Sequence, residues 1–287
     1  MGEIAANPRP SVALVIGSGS VKCAAALGLQ RVLQREGIDV EMVVGCSGGS
    51  LYAAAIALGL DVNTTTALTL RLWTRQVSQR ANRRAILQAL LPRLFGFDGR
   101  FGLRDDGQVL ARLRQAFGDQ TFADARVPLF LCATDFETGA QMALHTGSLV
   151  AALRASIAVP FIFAPSLVDG RLMLDGCLSD PLPVGVAMRE GARVVVAMGF
   201  ESPYQSRIDS PARFAFQISS IMNNNLLRAN YAFHSLAHHA EVISIVPEFN
   251  TRIRLFDVDK IPYVIEEGER AAEAQLPYLR RLLAAPA

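Results

Sequence analysis

Little in this chain suits metal or disulfide chemistry. Its four cysteines, Cys23, Cys46, Cys132 and Cys177, are widely spaced, with no C-x-x-C pair and no histidine at ligand spacing. That excludes a zinc ribbon or a disulfide framework and leaves them as small buried side chains in a reducing compartment. No metal and no cofactor is expected. Long apolar runs are also missing: stretches such as Leu51 to Leu60 fall well short of the roughly 20 residues that cross a bilayer. The N-terminus lacks the basic-then-apolar pattern of a signal peptide, so the expected setting is cytoplasmic. Charged residues are sparse, at 19% against 51% hydrophobic, a balance that excludes general disorder and favours a well-filled interior. At 287 residues the chain can bury a large core, and one domain covering 1–287 is expected.

Lysine is nearly absent, Lys22 and Lys260 being the only two among 28 basic residues, and the net charge is +2. Its distribution says more than the sum. Between Arg71 and Arg114 ten arginines face only Asp98, Asp105 and Asp106, so this stretch carries +7 and the rest of the chain −5. Nucleic acid is not the expected partner, because the stretch lacks interleaved aromatics and no recognition motif accompanies it. An arginine-rich solvated helix face accounts for the 71–114 charge as well as a surface that meets anionic headgroups at the membrane periphery.

Val12 to Ile16 is a short β-branched apolar run, broken by Gly17-Ser18-Gly19-Ser20 ahead of a helical pattern from Cys23 to Glu36. Gly37 stops that helix, Val40 to Val44 reads as a second buried strand, and Gly45 to Gly49 turns the chain into an alanine-rich helix from Ser50 to Leu58. This is a βαβα unit. Right-handed crossover makes the two strands parallel, so both turns emerge at one sheet edge and the Gly-Ser loop is predicted beside Ser47. Residues 61–117 read as a helical insert over the sheet, with Asn63 and the threonines offering N-cap groups and Phe95-Gly-Phe-Asp-Gly99 as a break. Strands are expected at Val127 to Ala133 and Arg193 to Gly199, a hairpin at Val168 to Gly176, and helices over 214–241 and 266–283.

Gly45-Cys46-Ser47-Gly48-Gly49 matches G-x-S-x-G between a strand and a helix, where small flanking residues allow a strained turn that exposes the serine oxygen. Centring the turn on Cys46 would put Val44 where a side chain crowds it, so Ser47 is the candidate nucleophile. The following helix aims its positive end at Ser47, which would favour an oxyanion there. A tight turn in which Ser47 merely caps the helix has the same local pattern. A serine also needs a base. His145, His234, His238 and His239 occupy no turn at the end of a predicted core strand, and surface or packing roles suit them. Asp175 ends the apolar run Leu172-Met-Leu in a turn, but Asp169-Gly170 has the same pattern, and an ordinary turn aspartate explains either.

Four blocks in order resemble the patatin-like phospholipase family: Gly17-Ser-Gly-Ser-Val-Lys22; Gly45 to Gly49; Ala133-Thr-Asp-Phe-Glu-Thr-Gly139; and Ala155-Ser-Ile-Ala-Val-Pro160 leading to Asp175-Gly-Cys-Leu-Ser-Asp-Pro-Leu-Pro-Val184. The tail, with Leu255-Phe-Asp-Val-Asp259 and a closing helix, also looks like bacterial members. The resemblance implies a three-layer α/β/α fold with a mainly parallel sheet and a helical insert. It implies a Ser47–Asp175 dyad without histidine, an oxyanion hole from the amides of Gly19 and Ser20 joined by Gly48, and motif support from Gly17, Lys22, Gly45, Gly49 and Gly176. Ser18 and Ser20 replace glycines of the family pattern, Cys23 replaces the glycine after the basic residue and Cys177 the last small residue of the aspartate motif. An amide donor survives such a change where the local backbone suits a residue with a Cβ. The implied function is a lipid acyl hydrolase acting on phospholipid or another fatty-acyl ester. Acyl transfer on the same dyad and a catalytically silent lipid-binding protein are its alternatives, and a dinucleotide site built on Gly17-x-Gly19 lacks the third glycine.

Overall fold

The computed structural model describes residues 11–72, 81–205, 207–236, 241–254 and 257–284. In chain order its elements begin with β1 (Ser11–Ile16), α1 (Ala25–Arg35), β2 (Asp39–Cys46) and α2 (Gly48–Ala57). The insert follows as α3 (Val62–Leu72), α4 (Arg83–Leu90), α5 (Pro92–Phe95) and α6 (Gly107–Phe117). Then come β3 (Leu129–Asp135), β4 (Gln141–Leu144), α7 (Leu149–Ser156), β5 (Ser166–Val168), β6 (Arg171–Asp175) and α8 (Val184–Arg189). The last are β7 (Val194–Met198), α9 (Pro211–Leu236), β8 (Glu241–Ile245) and α10 (Ile261–Ala284).

Successive side chains of β1 go to opposite faces, and both faces are covered. Val12, Leu14 and Ile16 pack with residues of α1, α2 and α10, whereas Ala13 and Val15 pack with α8 and with Leu227 of α9. The fold is a three-layer α/β/α sandwich. Hydrogen-bonded neighbours run β5-β6-β3-β2-β1-β7-β8, with β4 also on β3. The β1–β2, β2–β3, β1–β7 and β7–β8 pairings are parallel. Those that involve β4, β5 and β6 are antiparallel.

The register on β3 positions the site. Cys132 pairs with Cys46 of β2 and with Ala143 of β4, and since a strand has two edges, β2 and β4 lie on opposite sides. Ala133 pairs with Met142 of β4 and with Asp175 of β6, which puts β6 on the β2 side. β2 and β6 thus meet end to end along one edge of β3. β2 runs with β3 and β6 against it, so both carboxyl ends arrive at one gap, with Cys46 on one side and Asp175 on the other. The hairpin that delivers β6 turns through Asp169 at φ 49° and Gly170 at φ 79°, the two-residue geometry that Asp-Gly favours.

Several local expectations are corrected. Asp61 caps α3, accepting from Thr64 N–H at 2.9 Å and Thr64 Oγ1–H at 2.6 Å, because a carboxylate one residue ahead of the helix reaches these donors and Asn63, already inside it, does not. Thr65 and Thr69 instead donate back to carbonyls four residues earlier. The helix expected over 214–241 is described from Pro211 to Leu236, and Glu241 already opens a strand; Ile243 and Ile245 are buried and Ser244 exposed, the alternation of a half-covered strand. α10 starts at Ile261, not 266, with Pro262 in its first turn. Arg75 and Arg80 of the basic insert, Leu255 and Phe256 of the tail, and His238 and His239 lie outside the described residues.

The insert is tied to the rest of the chain through backbone and charge. Leu103 N–H donates to Phe161 C=O and Arg104 N–H to Ile162 C=O, each at 2.9 Å. Arg154, buried at the end of α7, donates to Asp106 Oδ2 from Nε at 2.9 Å and from Nη2 at 2.7 Å, and to Ala164 C=O at 2.8 Å. A buried cation held by three hydrogen bonds to two acceptors fixes the start of α6 against the loop after α7.

Candidate active site

Ser47 caps α2 with φ 53° and ψ −126°, a conformation that costs an L-residue on the order of 1–3 kcal/mol and is kept only where the surroundings impose it. Two close approaches impose it here. A Cβ on Gly48 would lie 2.7 Å from the Cα and N of Ser20, and one on Gly49 would meet the Ile16 carbonyl. The sharp turn is therefore possible only with glycine at both positions, and it presses the Gly17–Ser20 loop onto the start of α2 as the βαβα reading expects. Gly45 is in register with Ile16 of β1 and Leu131 of β3, so the turn begins one residue past the fully paired strand.

The Ser47 N–H donates to Ser156 Oγ at 2.9 Å. Ser156 Oγ–H donates to Cys132 C=O at 2.6 Å, and Ser50 Oγ lies 2.7 Å from Ser156 Oγ, so that the proton between them comes from Ser50. One buried hydroxyl thus accepts twice, donates once and pins the turn to β3. Ser156 stands in the Ala155-Ser-Ile block but received no role from sequence; a serine closing an apolar helix was the available signal.

Ser47 Oγ–H donates to Asp175 Oδ2 at 2.7 Å. Asp175 is wholly buried, and burial pushes its carboxyl up to about 6 against the lowering effect of the Cys177 N–H and the Ser47 hydroxyl. Its other oxygen, Oδ1, accepts from Cys177 N–H at 2.9 Å, so both oxygens are engaged. The backbone is held as well: Asp175 N–H donates to Ala158 C=O at 3.0 Å and Thr134 Oγ1–H to Asp175 C=O at 2.9 Å. Gly176 opens the short turn that follows. Cys46, the competing nucleophile, donates its thiol to Asp180 C=O at 3.4 Å, and burial, then the nearby Asp175, pushes that thiol up.

In the glycine-serine loop, Gly17 N–H donates to Met198 C=O at 2.9 Å and Ser18 N–H to Pro181 C=O at 2.8 Å. Gly19 packs against Phe200, and Ser20 takes φ 55° despite its Cβ. The serine replacement at this position is accommodated with the backbone in the left-handed region, at about 1 kcal/mol. Lys22 lines a cleft together with Phe200. Its ammonium donates to Glu201 C=O at 3.0 Å and lies 5.7 Å from the centre of the Phe249 ring. Burial lowers its pKa. That cleft, of about 450 Å³, is lined also by Arg252 and Ile253. Cys23 donates its thiol to Gly17 C=O at 3.3 Å, a contact a glycine there would lack.

His145 follows β4, with its Nδ1 3.1 Å from Ala143 C=O and its ring 5.7 Å from that of Phe130. His234 lies on α9. Among the described residues, no three His, Cys, Asp or Glu side chains are grouped to hold a metal ion.

The patatin-like phospholipase family model matches residues 14–188, a span that includes Gly17 to Lys22, Ser47 and Asp175. An NTE family protein of Mycobacterium tuberculosis is 31% identical over 197 residues, 68% of this chain and 51% of that one. Neuropathy target esterase sws of Drosophila melanogaster is 29% identical over 190 residues, 66% of this chain and 13% of that one. The chain thus spans about half the length of the mycobacterial relative and a smaller share of the fly protein. VipD from Legionella pneumophila, a solved structure, has TM-score 0.52 at 15% identity, over 95% of this chain and 67% of that one, a likeness of fold.

Proposed function

The chain belongs to the patatin-like phospholipase family, and from that premise we propose that it is a serine lipid acyl hydrolase of phospholipase A, lysophospholipase or carboxylesterase type. Ser47 is the nucleophile and Asp175 the general base. The observation that carries this reading is the 2.7 Å hydrogen bond from the Ser47 hydroxyl to a wholly buried carboxylate at the meeting point of β2 and β6. Free aspartate is a weak base at neutral pH; a carboxyl pushed up to about 6 is stronger and still ionised in most molecules near pH ~7. The esterase name of the fly relative fits a fatty-acyl ester as substrate.

Asp175 takes the Ser47 proton as Oγ attacks the ester carbonyl. The tetrahedral oxyanion rests on the amides of Gly19, Ser20 and Gly48, with the N-terminus of α2 adding to the stabilisation. The C–O bond to the alcohol breaks, and protonated Asp175 returns the proton to the leaving oxygen. Water then gives its proton to Asp175 and attacks the acyl-enzyme. The fatty acid departs and Ser47 recovers its proton. The amides of Gly17, Ser18 and Ser47 are committed to Met198, Pro181 and Ser156 and so are not oxyanion donors.

The test is turnover of a short-chain nitrophenyl ester and a lysophospholipid by wild type, Ser47→Ala and Asp175→Asn. Loss of both activities in both variants is expected. Full activity of Asp175→Asn together with its loss in His238→Ala would move the base to histidine. Adding an alcohol acceptor tells hydrolysis from acyl transfer by the product formed.

A further inference from the structure

Two helices of the insert, α4 and α5, are turned inside out, whereas α6 buries Val109, Leu113 and Phe117. α4 buries Ala85 and Gln88, with Gln88 Nε2–H donating to Gly96 C=O at 2.8 Å, while Leu87, Leu90 and Leu91 face solvent. Leu90 is 71% exposed and Leu94 of α5 74%. A helix that serves only its own core directs leucines inward and glutamine outward. Here Asn82 caps α4 through Ala85 N–H and donates its own N–H to Leu103 C=O at 2.9 Å, so polar contacts hold the segment and the apolar face is left to solvent.

Charge surrounds that face with one sign. Arg83, Arg84, Arg93 and Arg100 are exposed in this stretch, against Asp98 alone. Asp98 is already engaged, accepting from the N–H of Arg100 at 2.9 Å. The apolar face continues toward the mouth of the site. A Cβ on Gly99 would lie 3.0 Å from the ring of Phe136, which follows the carboxyl end of β3. Phe161, 52% exposed, bonds to Leu103 in the loop that begins with Ala158, the residue holding Asp175.

We propose that the outward face of α4 and α5 is a docking surface for a lipid bilayer carrying anionic headgroups. Its leucines enter the interfacial region and its arginines meet headgroup phosphates, the arrangement of an amphipathic segment lying in a membrane surface. An exposed leucine cluster alone would serve a protein partner or a second copy equally well. The unopposed arginines around it select the anionic membrane, and the backbone link to the Ala158 loop places the membrane beside the catalytic opening. The inference goes beyond the reaction proposed above, and binding can be measured without turnover.

Flotation of full-length Ser47→Ala protein with phosphatidylcholine vesicles, with and without phosphatidylglycerol, tests it. Capture by the anionic vesicles that weakens at high salt is expected. Adding Leu90→Ala and Leu94→Ala should lower capture about tenfold or more, given the apolar area these leucines would bury. Adding Arg83→Glu and Arg93→Glu should abolish the preference for phosphatidylglycerol. The same four substitutions in the wild-type background should leave hydrolysis of a soluble nitrophenyl ester unchanged, which verifies folding. No capture of the Ser47→Ala parent, or equal capture of all variants, overturns the proposal. So does a dimer, seen by sedimentation, that the leucine variant dissociates while the parent ignores vesicles. Retained capture with no ester hydrolysis by wild type would leave the docking surface standing and reject the hydrolase reading.

Discussion

Asp175→Asn is expected to remove activity and at the same time raise stability at neutral and alkaline pH. The folded protein holds the Asp175 carboxyl up to about 6, whereas in an unfolded chain it titrates near ~3.9. The folded state thus binds this proton more tightly than the unfolded state does. Below about pH 4 both states are protonated and the residue contributes no pH-dependent term; above about pH 6 ionisation in the buried site costs the folded state on the order of 3 kcal/mol. Asparagine has the same shape. Its Oδ1 can accept from Cys177 N–H and its Nδ2 can donate to Ser47 Oγ, with no charge to desolvate. Some of the gain is offset by exchanging charge-assisted hydrogen bonds for neutral ones, so a net increase of about 1–3 kcal/mol near pH 8 is expected, shrinking toward zero near pH 4. Urea unfolding of both proteins across that range measures it. A variant less stable than wild type near pH 8, or a difference that does not vary with pH, would refute the reasoning.

Three further outcomes follow from the same geometry. The kcat/KM of ester hydrolysis should fall as pH drops through about 6, because the proton taken up by Asp175 blocks the base; a flat profile down to about pH 4 in a protein still folded would contradict this. Ser156→Ala removes the acceptor of Ser47 N–H and the donor to Cys132 C=O, and should cost about 2–3 kcal/mol in chemical denaturation while lowering kcat more than it raises KM. Gly48→Ala drives a methyl into the Ser20 backbone at 2.7 Å and should destabilise the protein by about 1–3 kcal/mol with loss of turnover, read by thermal unfolding and the nitrophenyl ester assay.

Local pattern revealed much of the sheet and little of the geometry between its distant parts. The runs Val12 to Ile16 and Val40 to Val44, each followed by a glycine, mark β1 and β2 because buried parallel strands are short and mostly apolar, the exposed Glu41 near the start of β2 being the exception. Asp169-Gly170 marks its hairpin because only certain residues adopt two consecutive positive φ values. The meeting of Ser47 with Asp175 has no local signature. It depends on β6 pairing with β3 just beyond the end of β2, a long-range register, and from residues alone Asp175 was indistinguishable from Asp169 until the family pattern singled it out. Ser156 was hidden for a related reason: a hydroxyl at the end of an apolar helix reads as a neutral choice until its three partners are in place. β8 has no counterpart among the expected strands; only its first residue, Glu241, falls in the helix read over 214–241, and no glycine or proline marks the boundary. In α4 the apolar period is clear but does not say which side faces the protein, and here the leucines face out.

The dyad is tested most directly by mapping a fluorophosphonate adduct by mass spectrometry alongside ester turnover in wild type and Ser47→Ala. One adduct per chain on the peptide containing Ser47 is expected, with neither labelling nor turnover in Ser47→Ala. An adduct on another residue, or turnover undiminished in Ser47→Ala, would contradict the assignment of Ser47 as nucleophile.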